Sequence, residues 1–273
     1  FTGVQLHSAH GYLLSEFLSP NVNQRTDEWG GSIENRSRLL ITTIEAIRDK
    51  VGSNFPISVK LNSSDFQKGG FTHEESIKVA RILNNTSLDL LEISGGTYEN
   101  FTALEMDSFN LKKAKTIKPQ RSTRVREAYF LKYAEAIKDV ISIPLAVTGG
   151  FRSAEGMNNA LQSGACDVIG LGRPLCSEPD SVNKLISGEK KSAILYENML
   201  EFGPWILGLN SPISLMRSNN KAAQVYWCYR QILKIADGNE VDTKLGLFKA
   251  FLDHFRDDSA NSKKYKAFWK DLD

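Results

Sequence analysis

Ile143-Pro144-Leu145-Ala146-Val147-Thr148-Gly149-Gly150-Phe151-Arg152-Ser153 runs from a short apolar segment through a glycine pair to a serine able to cap a helix. A second short apolar segment, Val168-Ile169-Gly170-Leu171, ends in Gly172-Arg173-Pro174. Toward the N-terminus the pattern repeats three more times. A strand over roughly 3–7 precedes a polar loop and a helix over about 33–51, opened by Ser32 and apolar at Leu39, Leu40, Ile44 and Ile47. Ile57-Ser58-Val59-Lys60-Leu61 precedes Thr72-His73-Glu74-Glu75, a capping box for a helix to about residue 84. Leu90-Leu91-Glu92-Ile93 leads into a long loop (94–124) and a helix near 126–140. Strands alternating with helices predict a parallel sheet of class α/β. A doubly wound sheet and a (β/α)8 TIM barrel both satisfy that order. Strand-end loops carrying His, Lys, Gly and Arg favour the barrel, whose chemistry gathers at one face. Five βα units are three short of eight, so the expectation is a partial barrel over 1–190.

From about residue 190 the periodicity becomes helical, with an aromatic-rich stretch over 222–236 and amphipathic stretches near 243–256 and 262–272. Residues 191–273 are therefore expected to form a C-terminal helical extension. The 34 basic and 32 acidic residues of the 273 leave a formal charge of +2, which gives no reason to expect nucleic acid or a membrane surface as partner. Cys166, Cys176 and Cys228 lack zinc-type or CxxC spacing and read as thiols of a reducing compartment, the cytoplasm. The chain opens on Phe1 and enters a strand at once, which is read as part of a longer protein. Homo-oligomerisation is left open.

Three features point to chemistry. His7-Ser8-Ala9-His10-Gly11-Tyr12 places two imidazoles and a phenol within one turn of a strand end, where none is needed for a core. No Cys or carboxylate lies near enough in sequence to favour a metal there. Gly149-Gly150-Phe151-Arg152 and Gly172-Arg173 end successive strands, as phosphate loops of a barrel do, although ordinary turns also use such glycines. Lys60 sits inside an apolar strand and is expensive unless it meets an anion or a polar ligand, with Asp65 an available partner. His73 and His254 read as structural. Ser19 to Ser32, rich in Asn, Arg, Asp and Gly, reads as a loop folded on itself through side-chain-to-backbone bonds.

Val4-Gln5-Leu6-His7-Ser8-Ala9-His10-Gly11-Tyr12-Leu13, Glu16-Phe17-Leu18-Ser19-Pro20 and Asn23-Gln24-Arg25-Thr26-Asp27-Glu28-Trp29-Gly30-Gly31-Ser32 resemble the old yellow enzyme family of FMN-dependent NAD(P)H oxidoreductases. Gly149-Gly150-Phe151-Arg152 and Asp167 to Pro174 match in the same order, and the likeness is greatest to the fungal-type branch. The resemblance implies FMN as cofactor, NAD(P)H as reductant and a small activated alkene, enone-type, as substrate. It implies His7 and His10 as the carbonyl-polarising pair and Tyr12 as proton donor. It implies Lys60, Gly149, Gly150, Phe151, Gly172 and Arg173 around the cofactor, with Lys60 where many members carry arginine. Nothing in the chain corresponds to the family's first three strands. The expectation is that this chain alone holds FMN weakly or not at all, leaving a catalytically inactive fragment or binding module as the alternative.

Overall fold

The computed structural model describes residues 1–95 and 130–270. They form two compact units, Phe1–Leu171 and Gly172–Asp273. The expected loop over 94–124 and the start of the helix near 126 lie almost wholly outside the described residues.

In the first unit five strands form one parallel sheet in sequence order: β1 (Val4–Ser8), β2 (Ile57–Asn62), β3 (Leu90–Ser94), β4 (Leu145–Thr148) and β5 (Val168–Gly170). This is the partial (β/α)8 barrel that the alternation of elements implies. The helices are α1 (Leu13–Leu18), α2 (Ile33–Val51), α3 (His73–Leu83), α4 (Leu131–Lys138) and α5 (Ala154–Gln162). Ser32 Oγ accepts from the Asn35 N–H at the start of α2, and Thr72 and Glu75 complete the capping box of α3. One sheet face packs on the helices. Val59, Leu61, Leu91, Ile93, Leu145 and Val147 are buried there with Leu40 and Ile44 of α2 and Val79 and Leu83 of α3. Alternate strand residues point the other way. Register puts His7 beside Lys60, and Lys60 beside Glu92.

The loop before α2 folds on itself as expected. Asn23 Nδ2 donates to the carbonyls of Phe17 (2.8 Å) and Trp29 (2.7 Å), and Arg25 Nε donates to Asp27 (3.0 Å). Arg36, buried in α2, donates to the Gly31 and Leu18 carbonyls and pairs with Glu75.

The second unit holds α6 (Arg173–Ser177), α7 (Ser181–Ile186), α8 (Ser214–Ala236) and α9 (Leu247–Lys270). The compact units divide after Leu171, and residues 172–190 carry the short helices α6 and α7. The stretch 222–236 is the greater part of α8. Residues 247–256 and 262–270 of the two later amphipathic stretches lie in one continuous helix, α9, since no glycine or proline interrupts 247–270. Ala223 and Trp227 of α8 pack on Leu247 and Ala250 of α9, and Trp227 Nε1 donates to the Leu245 carbonyl at 2.9 Å. Cys166, Cys176 and Cys228 are all unbridged. No helix among the described residues is long and apolar enough to cross a membrane.

Candidate active site

The polar cluster at the end of β1 is built by an unusual backbone. His10 adopts φ +61° and Gly11 φ +80°, so the chain reverses sharply after Ser8 and returns Tyr12 toward His7. The left-handed region costs a residue with a Cβ roughly 1–2 kcal/mol, so the turn must be held by its surroundings. Two buried side chains hold it. Asn62, at the end of β2, accepts from the His10 N–H at 3.2 Å through Oδ1. Ser94, at the end of β3, shares a 2.8 Å hydrogen bond between its Oγ and His10 Nε2. Asn62 is fixed in turn, its Nδ2 donating to Asp65 Oδ1 at 3.0 Å, and Asp65 Oδ2 accepts from the Phe71 N–H at 3.0 Å. Asp65 is therefore a loop anchor and is not the partner of Lys60.

The rings converge. His7 and His10 lie with centroids 5.1 Å apart, edge to face, and His7 and Tyr12 are also 5.1 Å apart. Burial first, then the Lys60 ammonium, pushes the His7 pKa down, against an opposing pull from Glu92. The same order of causes, with His7 added, lowers His10 to about 4. Both imidazoles are neutral at pH 7, and each then carries one N–H donor. Tyr12 stays 45% exposed, its backbone at the start of α1.

Lys60 finds its anion on the next strand. Its Nζ donates to Glu92 Oε1 at 2.7 Å, and Gln5 Nε2 donates to Glu92 Oε2 at 2.7 Å. Burial drives the Glu92 carboxyl up, but the hydrogen bonds from Lys60, Thr148 and Gln5, with the Lys60 charge, hold it below the usual range. Glu92 and Gln5 are the residues that sequence reasoning missed.

Gly149 and Gly150 follow β4 with φ of +137° and +82°, conformations that side chains rarely take. They precede α5, which Ser153 caps by accepting from the Gly156 N–H at 3.0 Å. Consecutive glycines in front of a helix N-terminus leave backbone N–H groups without a Cβ beside them, which fits a phosphate. The Phe151 side chain is in the core, so only its backbone could serve a cofactor. Gly172 and Arg173 fall in the second unit. Gly172 has φ −117°, which does not demand glycine, and Arg173 lies 3.3 Å from Glu197 Oε1. His73 packs against Tyr133, and His254 stacks on Tyr226, each as a structural ring.

A parallel α/β barrel sheet with polar donors at the end of one strand and a glycine pair at the end of another has the arrangement that strand-end sites of α/β barrels use. The chain belongs to the NADH:flavin oxidoreductase / NADH oxidase family, whose model matches residues 1–192. FMN is the cofactor of that family and NAD(P)H its reductant. The NADH-dependent flavin oxidoreductase nadA of Aspergillus parasiticus is 39% identical over 196 residues, 71% of this chain and 41% of that protein. A 2-naphthoyl-CoA reductase structure in complex with 2-naphthoyl-CoA aligns with TM-score 0.58 and 31% identity, over 69% of this chain and 26% of that one. The old yellow enzyme homologue of Zymomonas mobilis shares the fold with TM-score 0.53 and 24% identity, over 78% of this chain and 54% of that one. The chain thus spans about half or less of the proteins it matches.

Proposed function

We propose that this chain forms the substrate-polarising and FMN-holding side of an NAD(P)H-dependent flavin oxidoreductase acting on an activated alkene of enone type. One observation carries it: two imidazoles kept neutral and 5.1 Å apart beside a phenol, on a turn that Asn62 and Ser94 hold in place. Bound FMN would supply the hydride, received from NAD(P)H. His7 and His10 donate to the acceptor's carbonyl oxygen, and these bonds strengthen as that oxygen gains charge in the transition state. The Ser94 hydroxyl donates to His10 Nε2, so the single N–H of the neutral ring sits on Nδ1 and is left to the substrate. Tyr12 holds the proton destined for the α-carbon. Gly149, Gly150 and the Phe151 backbone would take the FMN phosphate, and Lys60 would place positive charge near the flavin's electron-rich edge. Gly172 and Arg173 are assigned to the phosphate on the family pattern alone.

The test is enone reduction with NADH and added FMN, in the native protein and in the double variant His7→Ala/His10→Ala. Loss of one transition-state donor costs about 10²–10³ in kcat, and the double variant should lose at least that. Full turnover in the double variant overturns the assignment. A second reading, an inactive binding module of the same fold, draws on the two sheet edges at β1 and β5 among the described residues. It is favoured if the native protein turns over no enone with FMN present.

A further inference from the structure

The polar face of the sheet holds a row that the function above does not fully use. Register sets His7, Lys60 and Glu92 side by side on β1, β2 and β3, with the small Ala146 next on β4. Glu92 receives Lys60 from the neighbouring strand, Gln5 from β1 and Thr148 from β4. One carboxylate thus ties side chains from four strands together. Lys60 and Glu92 are only 18% and 13% exposed. Desolvating two charges costs several kcal/mol each, and well-packed apolar residues in the same place are often as stable or more so. Stability alone therefore gives no reason for the pair.

We propose that Glu92 is a positioning residue of this site: it fixes the Lys60 ammonium in the row of the imidazoles and balances its charge there. The proposal rests on the oxidoreductase reading, since the balance matters to the donors that face the carbonyl. A lysine ammonium ends a four-carbon stem, and its strand position alone does not decide where it sits. Glu92 decides it, through the 2.7 Å bond. The groups that act on His7 are His10 and Tyr12 from the turn, Lys60 from β2 and Glu92 from β3. The two charges act in opposite directions, the ammonium against protonation of the rings and the carboxylate for it. Glu92 thus offsets part of the Lys60 effect, which remains the larger of the two at both rings. Alone, either would shift the donors.

The experiment follows the histidine ring signals by NMR as pH is varied, without FMN, with His73 and His254 as internal controls for the fold. Glu92→Gln keeps an amide oxygen for Lys60 while removing the negative charge, and the His7 midpoint should fall by about 0.5 in pH or more. Lys60→Gln should raise it by a similar amount, and the double variant should return close to the native midpoint. A midpoint that stays put or rises in Glu92→Gln overturns the proposal. Should Glu92→Gln fail to fold, Lys60→Gln decides: a rise supports the balance and no change sinks it. The outcome is separable from the enone assay. Ordered midpoints with no turnover keep the charge balance and reject the oxidoreductase reading, and turnover with unmoved midpoints does the reverse.

Discussion

The two faces of the sheet obey different rules although the same strands make both. Toward the helices, Val59, Leu61, Leu91, Ile93 and Val147 are sealed in a continuous apolar core, and each touches many equivalent neighbours. On the other face Gln5, His7, Lys60, Glu92 and Thr148 meet particular partners at particular atoms. A core position tolerates another apolar side chain of similar volume, because its attractions are non-directional. A polar-face position does not, because losing one partner leaves the other buried and unpaired. Strand alternation therefore keeps stability and chemistry on separate sides of one peptide chain.

The contrast can be broken most severely from the apolar side. Ile93→Ala, at a fully buried position, should cost about 2–5 kcal/mol in urea unfolding. Next in size is an acid effect from the polar side. The folded His10 pKa, about 4, lies below its ordinary 6.5, so between those values the unfolded chain binds a proton that the folded chain refuses. Its contribution is complete above pH 6.5 and is lost as pH falls toward 4, up to about 3 kcal/mol. Unfolding midpoints at pH 7 and 4.5 should show this loss in the native protein, and His10→Ala should remove that part of it. Thr72→Ala, which takes away the capping box of α3 without touching either face, should cost about 1 kcal/mol. Tyr12→Phe should change stability by no more than about 0.5 kcal/mol while lowering enone turnover about 10²-fold. A Tyr12→Phe loss as large as that of Ile93→Ala would erase the distinction between the faces.

Much of this architecture is legible in the amino-acid sequence. The strands announce themselves as short apolar words, and the capping residues Ser32, Thr72 and Ser153 mark the helix starts because their hydroxyls serve backbone N–H groups only a few residues away. His7, His10 and Tyr12 stand out together because one turn of chain holds them. Glu92 and Gln5 do not. In Leu90-Leu91-Glu92-Ile93 a lone glutamate reads as the solvent side of an alternating strand, and only the register of β2 on β3 brings Lys60, 32 residues distant, to it. The six-residue α1 has no side-chain cap at Tyr12 and too few turns to show a period. In α9 the polar run Asp257-Asp258-Ser259-Ala260-Asn261-Ser262 interrupts the amphipathic pattern, so that one helix reads as two although its backbone continues.

The backbone at residue 10 acts as a filter on chemistry. At φ +61° the tolerant residues are glycine, asparagine, aspartate and histidine. Aspartate is anionic at neutral pH and repels a developing oxyanion, and glycine brings no side chain. Only an imidazole or a carboxamide both accepts this twist and carries a neutral N–H donor. His10→Asn is therefore the exchange that keeps both this twist and a neutral N–H donor, and the shape of this corner alone narrows the set of residues that can carry such a donor there.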